Sequence, residues 1–252
     1  MLKLFAFLIA VAMAQAAIAD PSVTLKHVRG NVYVADDTFY QKENSAVYLG
    51  PDHVTVVGAT WTPDTARLLA GEIAKITREP ITEVIDTNYH PDRAGGNAYF
   101  RQMGAEIMST EMTRDAMAKG WDDVVAATRQ GIPDYPLVPL TLPDRTFPGD
   151  FTLQNGNVKA FYLGPSHTPD GIFVYFPQEK ILYGGCILKE QLGSLAYADL
   201  AEYPNTLRKL KALHLGYTTI IAGHYSALHG PELVDQYLKL LANYHAPRMS
   251  AK

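Results

Sequence analysis

Ten residues constrain this chain more than any others: Asn88-Tyr89-His90-Pro91-Asp92-Arg93-Ala94-Gly95-Gly96-Asn97. The run before them, Ile81 to Asp86, has the apolar, β-branched bias of a buried strand. The run after them, Ala94 to Met103, reads as a helix. Asn88, His90 and Asp92 therefore fall on a loop where a strand hands over to a helix. In layered α/β folds, ligands and catalytic groups collect at such places. If the loop is extended, its i, i+2, i+4 spacing points the three side chains the same way. His and Asp are zinc-type ligands, whereas a neutral Asn amide is a poor one. Pro91 stiffens the loop, and the glycine pair lets backbone approach closely.

The same local pattern recurs three times. Gly164-Pro165-Ser166-His167-Thr168-Pro169-Asp170, Gly184-Gly185-Cys186 and Ala222-Gly223-His224 each follow a predicted strand. A lone histidine at a strand end is most often a structural hydrogen-bonder. Five candidate ligands in one repeated context (His90, Asp92, His167, Cys186 and His224) point instead to a metal. Cys186 is the only cysteine, so no intramolecular disulfide can form. Its compartment makes that informative. Lys3 followed by the uncharged apolar run Leu4 to Met13 and by Ala17-Ile18-Ala19 predicts a signal peptide over 1–19, with Asp20 as the first mature residue. The run is short for a membrane span, so the expectation is an exported, periplasmic protein with no membrane anchor. Paired cysteines are the rule in oxidising compartments; an unpaired thiol there is either buried or held by a metal.

Along the rest of the chain, strands are expected at 23–27, 31–35, 45–49, 54–58 and 81–86, with a helix capped by Thr62-Pro63 and stopping before Pro80. Another strand covers 106–109, and a long helix covers 111–129, interrupted or kinked near Gly120. Five prolines between 133 and 148 mark a mostly irregular connection. Strands then resume at 151–153, 158–163, 172–176, 181–183 and 218–222, with helices at about 204–213 and 231–244. The chain is 252 residues long and 47% hydrophobic, enough for one domain of two fused halves joined near 131–150. The simplest packing sets two sheets face to face with helices on both outer faces. A net charge of −4 without a basic cluster speaks against nucleic acid as a partner.

The motifs NYHPDRAGGNAY, GPSHTPDGIFVYFP, LYGGCILKE and AGHYSALHGPEL resemble the metallo-β-lactamases, most closely their mono-zinc, carbapenem-selective group, the second subclass of class B. The resemblance covers nearly all of the mature chain. It implies a four-layer αββα sandwich with the metal site at the shared edge of its sheets, and a long helix 111–129 overhanging that site. It implies one zinc per chain on Asp92, Cys186 and His224. A second, weak and inhibitory zinc would use His90 and His167, because Asn88 stands where other members have a first histidine. The implied activity is hydrolysis of the β-lactam ring of antibiotics, above all carbapenems. His90 or Asp92 would deprotonate the attacking water, with His90 the better placed because a neutral imidazole titrates near working pH. His167 would orient substrate or polarise the lactam carbonyl. Lys189 would pair with the substrate carboxylate, with Asn88 and Ser194 also at the substrate.

Three positions depart from that subclass: Gly185 and Ser194 where it usually has Asn, and Tyr225 where it has Asp. They leave the ligands intact and put substrate range in question. The rival readings are a thioester or lactone hydrolase on the same fold and a periplasmic zinc-storage protein. The full H-x-H-x-D-H motif expected of the first is missing, as is a His-rich tract for the second. No interface signature is visible, so a monomer is expected.

Overall fold

β-branched runs cut by glycine and proline fold into two sheets in the computed structural model, which describes residues 22–244. The predicted signal peptide lies outside the described residues. The first sheet carries seven strands in chain order, β1 (Val23–Arg29), β2 (Val32–Asp37), β3 (Glu43–Leu49), β4 (Val54–Val57), β5 (Ile81–Ile85), β6 (Glu106–Thr110) and β7 (Arg145–Phe147). The strands β1 to β4 pair antiparallel; from β4 to β7 they run parallel. Helices α1 (Pro63–Ala74), α2 (Pro91–Ala94), α3 (Asn97–Gln102) and α4 (Glu111–Gly131) fill the crossovers. The second sheet is built from β8 (Phe151–Leu153), β9 (Val158–Phe161), β10 (Phe173–Phe176), β11 (Ile181–Gly185), β12 (Thr219–Ala222) and β13 (Leu228–His229), with α5 (Tyr203–Ala212) and α6 (Leu233–Ala242).

Three hydrophobic cores between four layers account for strands apolar on both faces. Leu69, Ile73 and Phe100 from α1 and α3 pack on Val47, Val56 and Val84. Between the sheets, Val34, Ala46, Val57 and Ile85 meet Val174, Phe176, Tyr183 and Ile221. On the far side, Leu207, Leu210, Val234 and Tyr237 cover Phe173, Leu182 and Ile220. This is the αββα sandwich that the motifs implied.

Thr62 caps α1 as its sequence predicts, accepting from the Thr65 amide at 3.2 Å while the Thr65 hydroxyl accepts from the Thr62 amide at 3.1 Å. Other expectations need correction. The helix expected over 94–103 is two short helices, broken at Gly95-Gly96. A Cβ on Gly95 would collide with the Trp61 carbonyl, and one on Gly96 with that of Ala59. The pair lets the loop after β5 dock tightly on the loop after β4, and docking ends α2 early. Conversely, Gly120 interrupts nothing: α4 is continuous, because Met117, Trp121, Val124 and Val125 bury one face of it. That burial outweighs the roughly 1 kcal/mol that an interior glycine costs a helix. The proline-rich connection is not simply irregular. Tyr135 and Val138 pack under α4, and β7 adds an edge strand to the first sheet. The two-residue β13 was not foreseen.

The sheets meet at one edge. There β11 and β12 run parallel and end side by side, and the Asn44 amide at the start of β3 donates to the Gly223 carbonyl at 2.9 Å.

Two consequences are testable by thermal unfolding. Gly120→Ala, with open space around its Cβ, is expected to stabilise by about 1 kcal/mol, while Gly95→Ala is expected to destabilise by about 2 kcal/mol or more. Asp37 at the end of β2 is buried, its Oδ1 accepting from the Phe39 amide at 2.9 Å, and burial pushes its carboxyl up to about 6. Its raised value means that the folded state favours the protonated form. That stability is present below the ordinary carboxylate range and is lost as pH rises to about 6. Asp37→Asn is therefore expected to raise the melting temperature at about pH 8 and to lose that advantage near about pH 4; an equal gain at both would contradict the assignment.

Candidate metal centre

Each of the five candidate ligands sits past a strand end, and the structure brings three of them to one point. His90 caps the N-terminus of α2, which places Asp92 in that helix's first turn. Cys186 directly follows β11, and Gly223-His224 follows β12. The Asp92 Oδ2 lies 3.0 Å from the Cys186 Sγ and 3.1 Å from the His224 Nε2, with 3.7 Å between sulfur and nitrogen. A tetrahedral zinc ion with bonds of about 2.0–2.3 Å sets its ligand atoms about 3.3–3.6 Å apart. A carboxylate, a thiol and an imidazole at these spacings fit such an ion with little adjustment. The His224 Nδ1 is 2.9 Å from the Lys42 carbonyl, which as an acceptor takes the Nδ1 proton and leaves Nε2 free to ligate.

Arg93, which the sequence shows only as one of the ten residues of the opening stretch, organises the centre. It is fully buried. Its Nε approaches the Cys186 Sγ at 3.1 Å and the Asp92 Oδ2 at 3.0 Å. Nη1 donates to Glu43 and the Tyr183 hydroxyl, both at 2.7 Å, and to the Asn44 carbonyl at 2.9 Å; Nη2 donates to the Gly223 carbonyl at 2.7 Å. Burial alone would raise the Asp92 carboxyl, but Arg93 and His224 hold it well below the usual carboxylate range. Burial pushes the Cys186 thiol up to about 11 against the pull of Arg93, so a bound cation is what would hold it as thiolate. Glu43 and Arg93 were invisible in the sequence because their partners lie far along the chain.

The other predicted residues flank this point. His90 is buried, its ring edge-on to Tyr89, Tyr197 and His167 at centroid distances of 4.8, 5.0 and 5.3 Å. Its Nε2 is enclosed and has no partner among the described residues, and burial pushes the imidazole down to about 4, so it stays neutral but does not titrate near working pH as the sequence reading expects. His167 is likewise held neutral, by burial and then by Lys189. Asn88 does not project with them. Its Oδ1 accepts from the His90 amide at 2.9 Å and the residue contributes nothing to the cavity wall. The loop is thus not an extended run presenting three side chains on one side; a turn at Asn88 and the helix at Pro91 split them. Lys189 is no solvated surface charge: it is 2% exposed, with Nζ 2.8 Å from the Cys186 carbonyl. Burial lowers its ammonium to about 8. Above the centre opens a cavity of about 700 Å³, walled by Val124, Thr128 and Ile132 at the end of α4 and by Trp61 on one side, and by Ser194, Tyr197 and Tyr225 on the other. Lys189 and His167 reach it too. The α4 helix therefore overhangs the cleft as expected, and Ser194 faces it.

A carboxylate, a thiol and an imidazole converging under an open cleft could hold a divalent cation and leave room for one further ligand. The chain belongs to the metallo-beta-lactamase superfamily, whose family model matches residues 41–224. It is 28% identical over 234 residues to the metallo-beta-lactamase type 2 of Elizabethkingia meningoseptica, covering 86% of this chain and 87% of that one. Its fold matches a metallo-beta-lactamase from Pontibacter korlensis with a TM-score of 0.76 at 22% identity, over 88% of this chain and all of that one. It also matches the metallo-beta-lactamase FIM-1 from Pseudomonas aeruginosa, a mono-zinc form, with a TM-score of 0.74 at 20% identity over 88% and 96% of the two chains.

Removing Arg93 leaves Glu43 buried without its cation. Arg93→Met is expected to destabilise by about 3 kcal/mol or more in denaturant unfolding. The double variant with Glu43→Gln should lose less than the two single losses added together. Strict additivity would show that the pair is not coupled.

Proposed function

We propose that this chain is an exported, monomeric, zinc-dependent hydrolase of β-lactam antibiotics that works with one zinc ion and favours carbapenems. The observation that carries this reading is the convergence of Asp92, Cys186 and His224 under a cleft whose wall includes His90 and His167 and from which Asn88 is turned away. Asp92, Cys186 and His224 would hold the zinc, and its Lewis acidity would favour the negative charge that develops on the lactam nitrogen as the C–N bond breaks. His90, on the cavity wall, would accept a proton from the attacking water. Asp92 is the other base within the site, but its oxygen is engaged by Arg93 and the ligand cluster. His167, on the cavity wall, orients the lactam carbonyl. Lys189 has three N–H donors, of which the Cys186 carbonyl takes one; a donor toward the cleft meets the substrate carboxylate. The overhang of α4 narrows the cleft and favours compact fused rings.

The departures Gly185, Ser194 and Tyr225 favour a second reading, a broader substrate range. Ser194 and Tyr225 line the cavity, so they change what the substrate meets while leaving the ligands in place. Export rests on residues 1–19 and the monomer on the lack of an interface signature in the sequence.

Steady-state rates on imipenem, a penicillin and a cephalosporin decide between these readings. Imipenem turnover far above the other two, abolished by a strong chelator, restored by one equivalent of zinc and falling as more is added, is the expected pattern. Equal turnover of all three would leave only the broader reading, and turnover untouched by the chelator would overturn both.

A further inference from the structure

One side chain on the cavity wall is held against its own backbone preference. Tyr225, directly after His224, has a φ of 60°, in the left-handed region that a bulky residue rarely adopts. The turn around it fixes that conformation. The Ala222 amide donates to the Ala227 carbonyl at 2.9 Å, and the Asn44 Nδ2 donates to the Tyr225 carbonyl at 3.4 Å. The Ser226 amide and hydroxyl both donate to the Glu190 Oε1, at 3.3 and 3.2 Å. Strained residues of this kind persist where their surroundings over-determine them, and they cluster at functional sites. Here the strain sets the position of a ring. The half-buried tyrosine lines the cavity with its hydroxyl over Gly193. A Cβ on Gly193 would stand 3.6 Å from that hydroxyl, and 3.2 and 3.9 Å from the Cε and Nζ of Lys189. The phenol and the ammonium therefore end beside one point of the wall, and the missing side chain keeps that point open. None of the hydrogen bonds that tie down the turn uses the hydroxyl.

We propose that Tyr225 is a specificity-determining residue, its O–H the second donor to the carboxylate that Lys189 meets, so that the cleft demands an anion at this end of its substrate. The proposal rests on the function given above and deepens it. A carboxylate has two oxygens and accepts from two donors at once. The Lys189 Nζ is already within hydrogen-bond distance of the Cys186 carbonyl, at 2.8 Å, and of the His167 ring, at 3.3 Å. That leaves the ammonium one N–H for one oxygen. The phenol, an uncharged donor arriving at the same point from the loop after β12, supplies the other oxygen. An acidic side chain at 225 would repel the anion, and an aliphatic one would leave that oxygen without a partner.

Tyr225→Phe removes the hydroxyl and keeps the ring. In the zinc-loaded protein it is expected to raise KM for imipenem about tenfold with kcat nearly unchanged, the pattern of lost uniform binding. The melting temperature should not move. The methyl ester of imipenem, which has no anion at that end, should show the same KM with tyrosine or phenylalanine at 225. Calorimetry with ring-opened imipenem, its ring carboxylate free or methylated, reads the same difference without turnover: about tenfold weaker binding of the acid in the variant and no change for the ester. Unchanged KM or affinity for the acid would overturn the inference, as would an equal loss on acid and ester. A fall in melting temperature would show that the hydroxyl serves the fold, and would overturn it too. Binding of the ring-opened compound requires no hydrolysis. An inactive protein would therefore sink the hydrolase reading and still leave calorimetry to decide the role of Tyr225.

Discussion

A single buried guanidinium ties the two sheets together beneath the metal centre. Arg93 sits on α2, beyond the first sheet, and reaches Glu43 and Asn44 on β3, Tyr183 on β11, and the loops that carry Cys186 and His224. Its planar fork satisfies acceptors from both halves of the chain at once, which a lysine in its place could not do. The three candidate ligand atoms converge because the same cation touches or neighbours all three. It also offsets part of the negative charge that a carboxylate and a thiolate bring to a dry site, and Glu43 in turn offsets Arg93. Such a network is costly to break at one member, because each remaining group is left buried without its partner.

The rest of the architecture serves this contact. Parallel β11 and β12 deliver Cys186 and Gly223 to the same edge, and the tight docking at Gly95-Gly96 brings the Asp92 turn down onto it. Around the centre the polar groups divide the labour. Some are committed to the scaffold, as the Asn88 oxygen is to the His90 amide and the His224 Nδ1 to the Lys42 carbonyl. Others, above all the enclosed His90 Nε2, are left without partners among the described residues. Aromatic rings from Tyr89 and Tyr197 hold the His90 imidazole in place without occupying its nitrogen.

Much of this was legible in the sequence. Strand-loop patterns place the ligand loops, and the repeated glycine or proline beside a reactive side chain marks them as more than turns. The layer order follows from strands apolar on both faces. What the sequence hides is long-range. Nothing near Arg93 in the chain shows that Glu43 and Cys186 complete its shell, since those contacts span 50 and 93 residues. Lys189 looks like a surface charge until β11 carries it into the core. Gly95, Gly96 and Gly120 are indistinguishable by propensity alone; the backbone pressing on the first two and the open space beside the third decide what each does. Asn88 was legible as a poor ligand, but its turn onto the His90 amide depends on a local hydrogen bond that spacing does not reveal.

The central claim is that Asp92, Cys186 and His224 form one cation site with sulfur in it. Titration of the metal-free protein with cobalt(II), followed by its thiolate-to-metal charge-transfer absorption, tests this most directly. The account predicts an intense near-ultraviolet band that saturates at one equivalent and is absent in Cys186→Ser. A band that needs two equivalents to saturate, or that survives loss of the thiol, would contradict it.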